Sequence, residues 1–259
     1  MVVTILVTFC LTISAFFGFL SYLWARELQA IRSAKTITIQ ELEQRSQTMA
    51  DRVGSRGSFC DRVELKGVLR SANPLTAEFS QRPCVYYRST VAEEYENERT
   101  QHVSFEDGRW KSEPERTHRT LSENEMHIDF YLQDSTGQIK ICPNRAQFDG
   151  IEVVNRLEPL PDGDRVAFDE IHRGRMVGYR YRERIVPIGV KGYVLGEVGD
   201  RAGELQISAP QNINESFIIT TKSEEELIKT KEEFYKGTEV AALFFFVAAV
   251  AIVICSFFV

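Results

Sequence analysis

The sequence predicts an α+β protein in which a β-rich domain, a sandwich or a partly open barrel, is carried on helical stems between two transmembrane helices. Three observations predict this fold class. The 259 residues include 31 Lys and Arg and 37 Asp and Glu, but the first 25 and the last 20 residues contain none of them. Between about residues 63 and 219, apolar and polar residues alternate with the period of a β-strand. Charged segments with helix start signals join this region to both apolar ends.

The charge distribution excludes several classes of protein. A freely soluble single domain, a disordered chain or a collagen-like chain would not concentrate all its charges in the middle of the sequence. A secreted disulfide framework is also excluded, because only Cys60, Cys84 and Cys142 lie outside the apolar ends, an odd number without a pairing pattern. Two spans are too few for a polytopic transporter unless the protein oligomerises.

The first element is a transmembrane helix over residues 2–24. A bilayer core of about 30 Å needs about 20 helical residues, and Tyr22 and Trp24 stand at the charged edge, where aromatic rings prefer the headgroup layer. A cleaved signal peptide is the alternative. No basic residue precedes the apolar run, the run is long, and no small-residue cleavage site follows it. We therefore expect an uncleaved anchor.

Residues 25–57 are predicted to form a helical stem and linker. The first helix can continue to about Lys35 with Leu28 and Ile31 on one face. Thr38 to Glu41 then has the spacing of a capping box, which predicts a short helix that continues to about Met49. The Gly- and Arg-rich stretch from Asp51 to Gly57 ends that helix.

Residues 58–221 are predicted to form the β-rich domain. Ile128 to Ile141 reads as a hairpin with the turn residues Asp134 to Gly137 between its strands. Further strands are predicted at 84–91, 178–186, 192–198, 204–208 and 216–221. The stretch from Val91 to Asn124 is polar and largely aperiodic, so we expect an extended, mobile hairpin or a loop there.

A charged helical stem over residues 222–239 and a second transmembrane helix over residues 240–259 complete the predicted organisation. Ser223 to Glu226 is another capping box, and Glu232 and Lys236 have the i,i+4 spacing of a helical ion pair. A buried soluble helix or a lipid-anchor signal is disfavoured for the last segment, because it is uncharged and follows a charged helix rather than a small-residue site.

If both ends span the bilayer, the central domain lies on one side and both termini on the other. Lys and Arg concentrate on the inner flanks of the two spans, and such residues favour the cytoplasmic face. The inner flanks hold Arg26, Arg32, Lys35, Arg45, Lys222, Lys229, Lys231 and Lys236. We therefore predict an integral membrane protein with its termini outside and its central domain on the cytoplasmic side.

No catalytic, metal or cofactor motif is present in the sequence, so no catalytic residue and no cofactor are expected. The four histidines are dispersed in polar surroundings and are expected to lie on the surface: His102, His118, His127 and His172. Cys84 and Cys142 stand in apolar strand contexts, where a free thiol is usually a packing residue.

One polar cluster is suggestive of a binding surface. It comprises Arg173, Arg175, Arg180, Arg182 and Arg184. Such a row can contact anionic lipid, a nucleic acid or an acidic partner. It also matches the solvated face of an ordinary strand. Because the formal net charge is -6, no nucleic acid is expected.

Several segments together resemble a known family. They are Leu42, Glu64-Leu65-Lys66-Gly67-Val68, Asn73-Pro74-Leu75, Arg82-Pro83-Cys84-Val85-Tyr86-Tyr87-Arg88, Trp110, Phe130-x-Leu132-x-Asp134-x-x-Gly137, Tyr181-x-Glu183-x-Ile185-x-Pro187-x-Gly189, Tyr193-Val194-Leu195-Gly196-Glu197 and Phe217-Ile218-Ile219. In this order they resemble the GIDE, or "beside a membrane", domain of the membrane-anchored E3 ubiquitin ligases of mitochondria and chloroplasts and of their prokaryotic relatives.

In the eukaryotic members, the resemblance implies a RING zinc domain after the second span. A RING needs eight regularly spaced Cys and His ligands, and the central region has three Cys and four His. No ligase residue can therefore be assigned here, and we expect a prokaryotic member without the RING.

Three hypotheses for function follow. The first is a non-enzymatic, membrane-anchored sensing or protein-interaction module that contacts the bilayer and a protein partner. The second is a ligase-type protein whose RING is absent or supplied by another chain. The third is a hydrolase whose catalytic residues meet only in three dimensions.

Overall fold

The structure is a computed structural model that describes residues 2–33, 36–54, 57–106, 109–161, 175–200, 204–212 and 215–256, without the side chains of residues 2, 98–106 and 109–113. The helices are α1 (Val2–Ser33), α2 (Ile39–Val53) and α3 (Glu224–Ser256). The strands are β1 (Cys60–Arg70), β2 (Leu75–Thr76), β3 (Pro83–Glu106), β4 (Arg109–His127), β5 (Phe130–Gln133), β6 (Gln138–Ile141), β7 (Gln147–Asp149), β8 (Ile151–Pro159), β9 (Arg175–Pro187), β10 (Lys191–Gly199), β11 (Gln206–Ser208) and β12 (Ile218–Thr220).

The first sheet is a small barrel. Its strand order is β1-β5-β6-β11-β10-β12-β7, and β1 also pairs antiparallel with β10, from Cys60↔Gly199 to Val68↔Lys191. The extra pairing closes β1, β5, β6, β11 and β10 into a ring. The predicted α+β fold class is therefore confirmed, and the barrel is the form that it takes.

The second sheet is built on the long hairpin of β3 and β4. Its order is β2-β3-β9-β8, with β4 also paired to β3. The described residues of the stretch from Val91 to Asn124, 91–106 and 109–124, therefore lie in paired strands, so the loop alternative was wrong and the extended hairpin was correct. Backbone hydrogen bonds hold such a pair together where both of its faces are polar, so the sequence shows no apolar alternation there.

The main core lies between the barrel, the second sheet and α2. It buries Leu65 and Phe130 of the barrel, Val186 of β9 and Leu42 of α2. Helix α2 is fixed at both ends. Its first backbone amides donate to Thr38 Oγ1 (3.2 Å from Glu41 N) and to Asp134 Oδ2 (2.9 Å from Ile39 N), and Gly54 ends it in the left-handed conformation at φ 78°. The predicted helix start is confirmed, with Thr38 as the N-cap residue.

Helices α1 and α3 are long and apolar enough to cross a membrane, and almost none of their apolar windows is buried within the protein. These two candidate spans indicate a membrane protein, because a core helix of a soluble domain would be covered. The helices run antiparallel and touch along their length. Ser14 Oγ donates to the carbonyl oxygen of Ala242 at 2.9 Å, and the Trp24 and Phe234 rings stack with centroids 5.3 Å apart.

The charged halves of both helices pack on the barrel. Ile31 of α1 and Leu227 of α3 are buried against Tyr193 and Leu195 of β10 and Ile218 of β12. Farther along the helix pair, Lys231 Nζ lies 2.9 Å from Glu27 Oε1. The two stems therefore hold the β domain through apolar contacts and continue without a break into the candidate spans.

Candidate functional site

An open groove of about 630 Å³ lies on one face of the second sheet, where β9 runs beside β3. We call it the arginine groove. Its lining residues are Arg88, Thr90, Ala92, Glu94, Arg116, Thr117, His118, Thr120, Glu123, Glu152, Arg180, Arg182 and Arg184. Because side chains alternate along a strand, three predicted arginines, Arg180, Arg182 and Arg184, reach this one face together.

The strand register determines which residues meet in the groove. Arg184 of β9 is opposite Arg88 of β3, and the next groove-facing residue of β9, Arg182, is opposite Thr90. Arg180 is opposite Ala92, whose small side chain is almost fully buried. The small Ala92 side chain therefore leaves open space in the middle of the groove, and arginine side chains lie on both sides of that space.

Arg180 is held by a buried carboxylate. The Arg180 guanidinium donates from Nε and Nη2 to both oxygens of Glu94, and its Nη1 donates to Asn155 Oδ1 at 3.0 Å. Arg116 Nη1 approaches the same carboxylate at 3.3 Å. The Arg180 hydrogen bond outweighs the effect of burial and holds the pKa of Glu94 below its usual value. Arg180 is therefore already paired inside the protein.

Arg182 and Arg184 differ from Arg180. Both are exposed, and within the described ranges neither side chain forms a hydrogen bond or an ion pair. Arg88, across from Arg184, lies 2.7 Å from Glu123 Oε1. The groove therefore has two guanidinium groups open to an external anion.

The remaining predicted arginines lie elsewhere. Arg175 is exposed at the start of β9, across from Glu96, and does not line the groove. Arg173 lies outside the described residues. Conversely, the sequence-based prediction missed Arg88 and Arg116, which β3 and β4 bring to the groove. Arg88 is the last residue of the strand-like motif that begins at Arg82, so the sequence did contain a signal for it. The polar stretch around Arg116 has no strand pattern that could have indicated its position.

A second buried carboxylate, Glu183, fixes the opposite face of β9. It has no exposed surface and accepts hydrogen bonds from Phe79 N (2.7 Å), Ser80 N (2.9 Å) and Ser89 Oγ (3.0 Å). Burial alone would raise its pKa, but these bonds prevail and lower it. Glu183 therefore ties β9 to the loop between β2 and β3, directly behind the two open arginines.

A third buried carboxylate, Glu64, lies where the stems meet the barrel. Its oxygens accept hydrogen bonds from Thr36 Oγ1, which follows α1, and from the Tyr193 hydroxyl at 3.1 Å. Lys66 Nζ lies 3.1 Å from Glu64 and 2.6 Å from Glu224 in the first turn of α3. Burial would lower the pKa of Lys66, but these two carboxylates raise it. We call this set of five residues the stem junction.

Two cysteines of the central region are held as neutral thiols. Cys84 is buried, which raises its pKa to about 11, and Cys142 is half-buried with a pKa also raised by burial. His118 and His127 are exposed as predicted, whereas the His102 side chain and His172 lie outside the described part of the structure. Among the residues that the structure describes, no group of three or more His, Cys, Asp or Glu side chains is placed to hold a metal ion.

Comparison with known protein families gives one match. A family model named GIDE and described as E3 ubiquitin ligase matches residues 98–254, more than half of the chain. No curated protein and no solved structure matches the chain significantly.

Proposed function

The chain belongs to the GIDE family, and from this premise we propose that it is a membrane-anchored, non-enzymatic interaction module whose arginine groove binds an acidic segment of a partner protein. The two candidate spans supply the anchor, and the stems hold the barrel and its attached sheet in one orientation.

The observation that carries this proposal is the contrast among neighbouring arginines. Arg180 is satisfied by Glu94, whereas Arg182 and Arg184 on the same face have no partner in the described protein. Guanidinium groups recognise carboxylate and phosphoryl oxygens through paired N–H donors. An exposed strand face that carries two such groups beside a groove supports binding of an anionic ligand.

The proposal includes the side of the membrane on which the groove acts. The basic inner flanks favour the cytoplasmic face for the β domain. Protease added to membrane vesicles tests this directly. We expect cleavage within the central domain of inside-out vesicles and protection in right-side-out vesicles, and the reverse pattern would contradict it.

Site-specific photo-crosslinking in native membranes tests the partner. A photoreactive amino acid in place of Thr90, on the groove floor, should form adducts with a protein in the full-length chain. The Arg182→Ser/Arg184→Ser double variant should lose those adducts, because the groove then lacks its open cations.

The matched control is Arg156→Ser. Arg156 belongs to β8 of the same sheet, is equally exposed and lies over the Tyr181 ring, away from the groove. This variant should keep the adducts. Adducts that survive in the double variant, or adducts to lipid alone, would contradict binding of a protein partner in the groove.

The family description favours a second candidate function, that of a ligase-type protein. In this alternative the β domain would position a substrate for a RING domain supplied from outside residues 1–259. Stoichiometric zinc and ubiquitin transfer that depends on a ubiquitin-charged E2, measured on the protein isolated with its native partners, would support it. E2-dependent transfer by the chain alone, without any native partner, would overturn the non-enzymatic proposal.

A further inference from the structure

The charges that line the arginine groove do not balance. Five arginines and three glutamates line it, which leaves two positive charges in excess among these residues. The glutamates are already engaged. Glu94 binds Arg180 and Arg116, Glu123 binds Arg88, and Glu152 accepts a hydrogen bond from Asn155 at 3.0 Å. Glu94 offsets only one of the two charges of Arg180 and Arg116, and the neutral Asn155 amide leaves the charge of Glu152 in place. Arg182 and Arg184 are the groove arginines that make no ion pair with a described residue.

The register places two like charges face to face. Arg88 and Arg184 are directly opposite on neighbouring strands and share the groove face. Like charges at such positions destabilise a sheet unless counter-charges lie nearby. Arg88 is paired with Glu123, and Glu152 of β8 is directly across from Arg184 on its other side without forming an ion pair with it. Arg182 is two residues along the same strand, about 6.6 Å away, which is within reach of the same ligand. The arrangement is a cradle of three arginines with Thr90 on its floor, in which Arg182 and Arg184 are open and Arg88 is also paired with Glu123.

The number of arginines distinguishes between two kinds of anion. A single guanidinium with paired donors engages both oxygens of a carboxylate, as Arg180 does with Glu94, which Arg116 also approaches. A phosphorylated side chain carries a charge of about −1.5 to −2 and three acceptor oxygens, so it binds several arginines at once. Its charge matches the excess in the groove. Resting on the proposed function, we propose that the arginine groove recognises a phosphorylated residue of the partner protein through Arg182, Arg184 and Arg88.

A phosphorylated protein fits the position of the groove better than a lipid headgroup does. The charged stem from Glu224 to Glu239 is about 24 Å long at 1.5 Å per residue. The stem therefore holds the barrel away from the bilayer edge. Strand β9 is joined to this barrel through the turn before β10. A segment of a partner protein, unlike a lipid headgroup, is not confined to the bilayer surface and can bind at this distance from it.

The test uses the full chain in nanodiscs of neutral phosphatidylcholine. Three pools of random-sequence peptides, identical except for a central phosphoserine, glutamate or serine, are passed over the immobilised protein, and retention is measured by mass spectrometry. We expect the phosphoserine pool to be retained at least tenfold more than the glutamate pool. Random flanking sequence removes the need to know the partner.

Three variants define the site. Arg182→Ser/Arg184→Ser should abolish the preference. Arg184→Lys, which keeps the charge but loses the paired donors, should reduce it severalfold. Arg156→Ser should leave it unchanged.

Each contrary outcome has a distinct meaning. Equal retention of the phosphoserine and glutamate pools overturns phosphoryl recognition and leaves the proposed function standing. If neither pool is retained while the Thr90 adducts persist, phosphoryl recognition is also overturned and the proposed function still stands. Capture of the nanodiscs by vesicles containing phosphoinositides, without retention of the phosphoserine pool, assigns the groove to lipid and overturns both proposals. Retention that persists in the double variant places phosphate binding elsewhere on the protein.

Discussion

The stem junction and the arginine groove each contain a buried glutamate, but they differ in how many of the surrounding charged side chains have a partner within the protein. At the junction, Glu64 is surrounded by Thr36, Tyr193 and Lys66, and Lys66 is shared with Glu224 of α3. In the groove, Glu94 satisfies Arg180, while Arg182 and Arg184 beside it make no ion pair with a described residue.

The difference teaches how to separate structural charges from charges that are available for binding. Both regions bury a carboxylate, which folding tolerates only when hydrogen bonds replace water. At the junction those partners join the stems to the barrel, so the charges stabilise the attachment. In the groove, Arg180 and Arg116 supply this need, whereas Arg182 and Arg184 are exposed and make no ion pair with a described residue. We therefore expect the loss of a charge at the junction to lower the free energy of unfolding. The loss of Arg182 and Arg184 should instead weaken ligand binding and leave stability almost unchanged.

The largest expected effect is at the junction. Glu64→Ala should lower the free energy of unfolding by about 3 kcal/mol, because the buried Tyr193 hydroxyl loses its acceptor and Lys66 loses one of two carboxylates. Hydrogen exchange of the β1 and β10 amides would measure it. Glu158→Ala, at an exposed pair on β8, is the control and should change stability little. An equal loss in both variants would remove the distinction.

Glu183→Gln should cost about 2 kcal/mol and should act on the groove sheet alone. In this variant an NH₂ group replaces one carboxylate oxygen, and this group donates hydrogen bonds instead of accepting them. Phe79 N and Ser80 N, which now bind different oxygens of Glu183, would then have only one oxygen to share. We expect faster exchange in β9 and in the loop between β2 and β3, with β1 unchanged. Faster exchange throughout the barrel would show that the two regions are one cooperative unit.

Acid should weaken the groove sheet through Glu94 and Glu183. The folded-state pKa of each is below the usual carboxyl value of 4.5, so the stability that each contributes is present above that value and is lost as pH falls through the folded pKa. The melting temperature should therefore be flat from pH 7 to about 5 and fall below about 4.5. Glu183→Gln should show a shallower fall, and an unchanged slope would exclude Glu183 as a source.

Ser223→Ala should have a smaller, local effect of about 1 kcal/mol. Ser223 Oγ accepts from Glu226 N at 3.2 Å, and Ser223 N donates to Glu226 Oε2 at 3.0 Å. Faster exchange in the first turn of α3 is the expected result. Ser33→Ala, near the end of α1, is a control without a capping contact and should leave that turn unchanged.

The smallest effect on stability is expected where the effect on binding is largest. Arg182→Ser/Arg184→Ser should change the free energy of unfolding by less than about 0.5 kcal/mol, because both side chains are exposed and make no pair with a described residue. A melting temperature equal to that of the unmodified protein would confirm it. A marked loss of stability would mean that these arginines are structural, like Arg180.

Local signals in the sequence predicted much of the fold. The N-cap at Thr38, the capping box at Ser223 and the turn from Asp134 to Gly137 depend on neighbouring residues, and the structure contains all three. Strands β1, β2, β7 and β8 were not among the predicted strands. Strands β2 and β7 have only two and three residues, and β8 lies exposed at a sheet edge without apolar alternation. The burial of Glu64, Glu94 and Glu183 had no local signal either, because each depends on partners from other elements.

The sequence by itself determined the two apolar ends, the stems, the β-rich middle and the arrangement of Arg180, Arg182 and Arg184 on one strand face, because charge content and residue period are local properties. Only the tertiary structure decided that β1 closes on β10 into a barrel and that Glu94 pairs with Arg180 but not with its two neighbours. Pairing register between distant strands places Arg88 opposite Arg184, and register depends on the packing of the whole sheet.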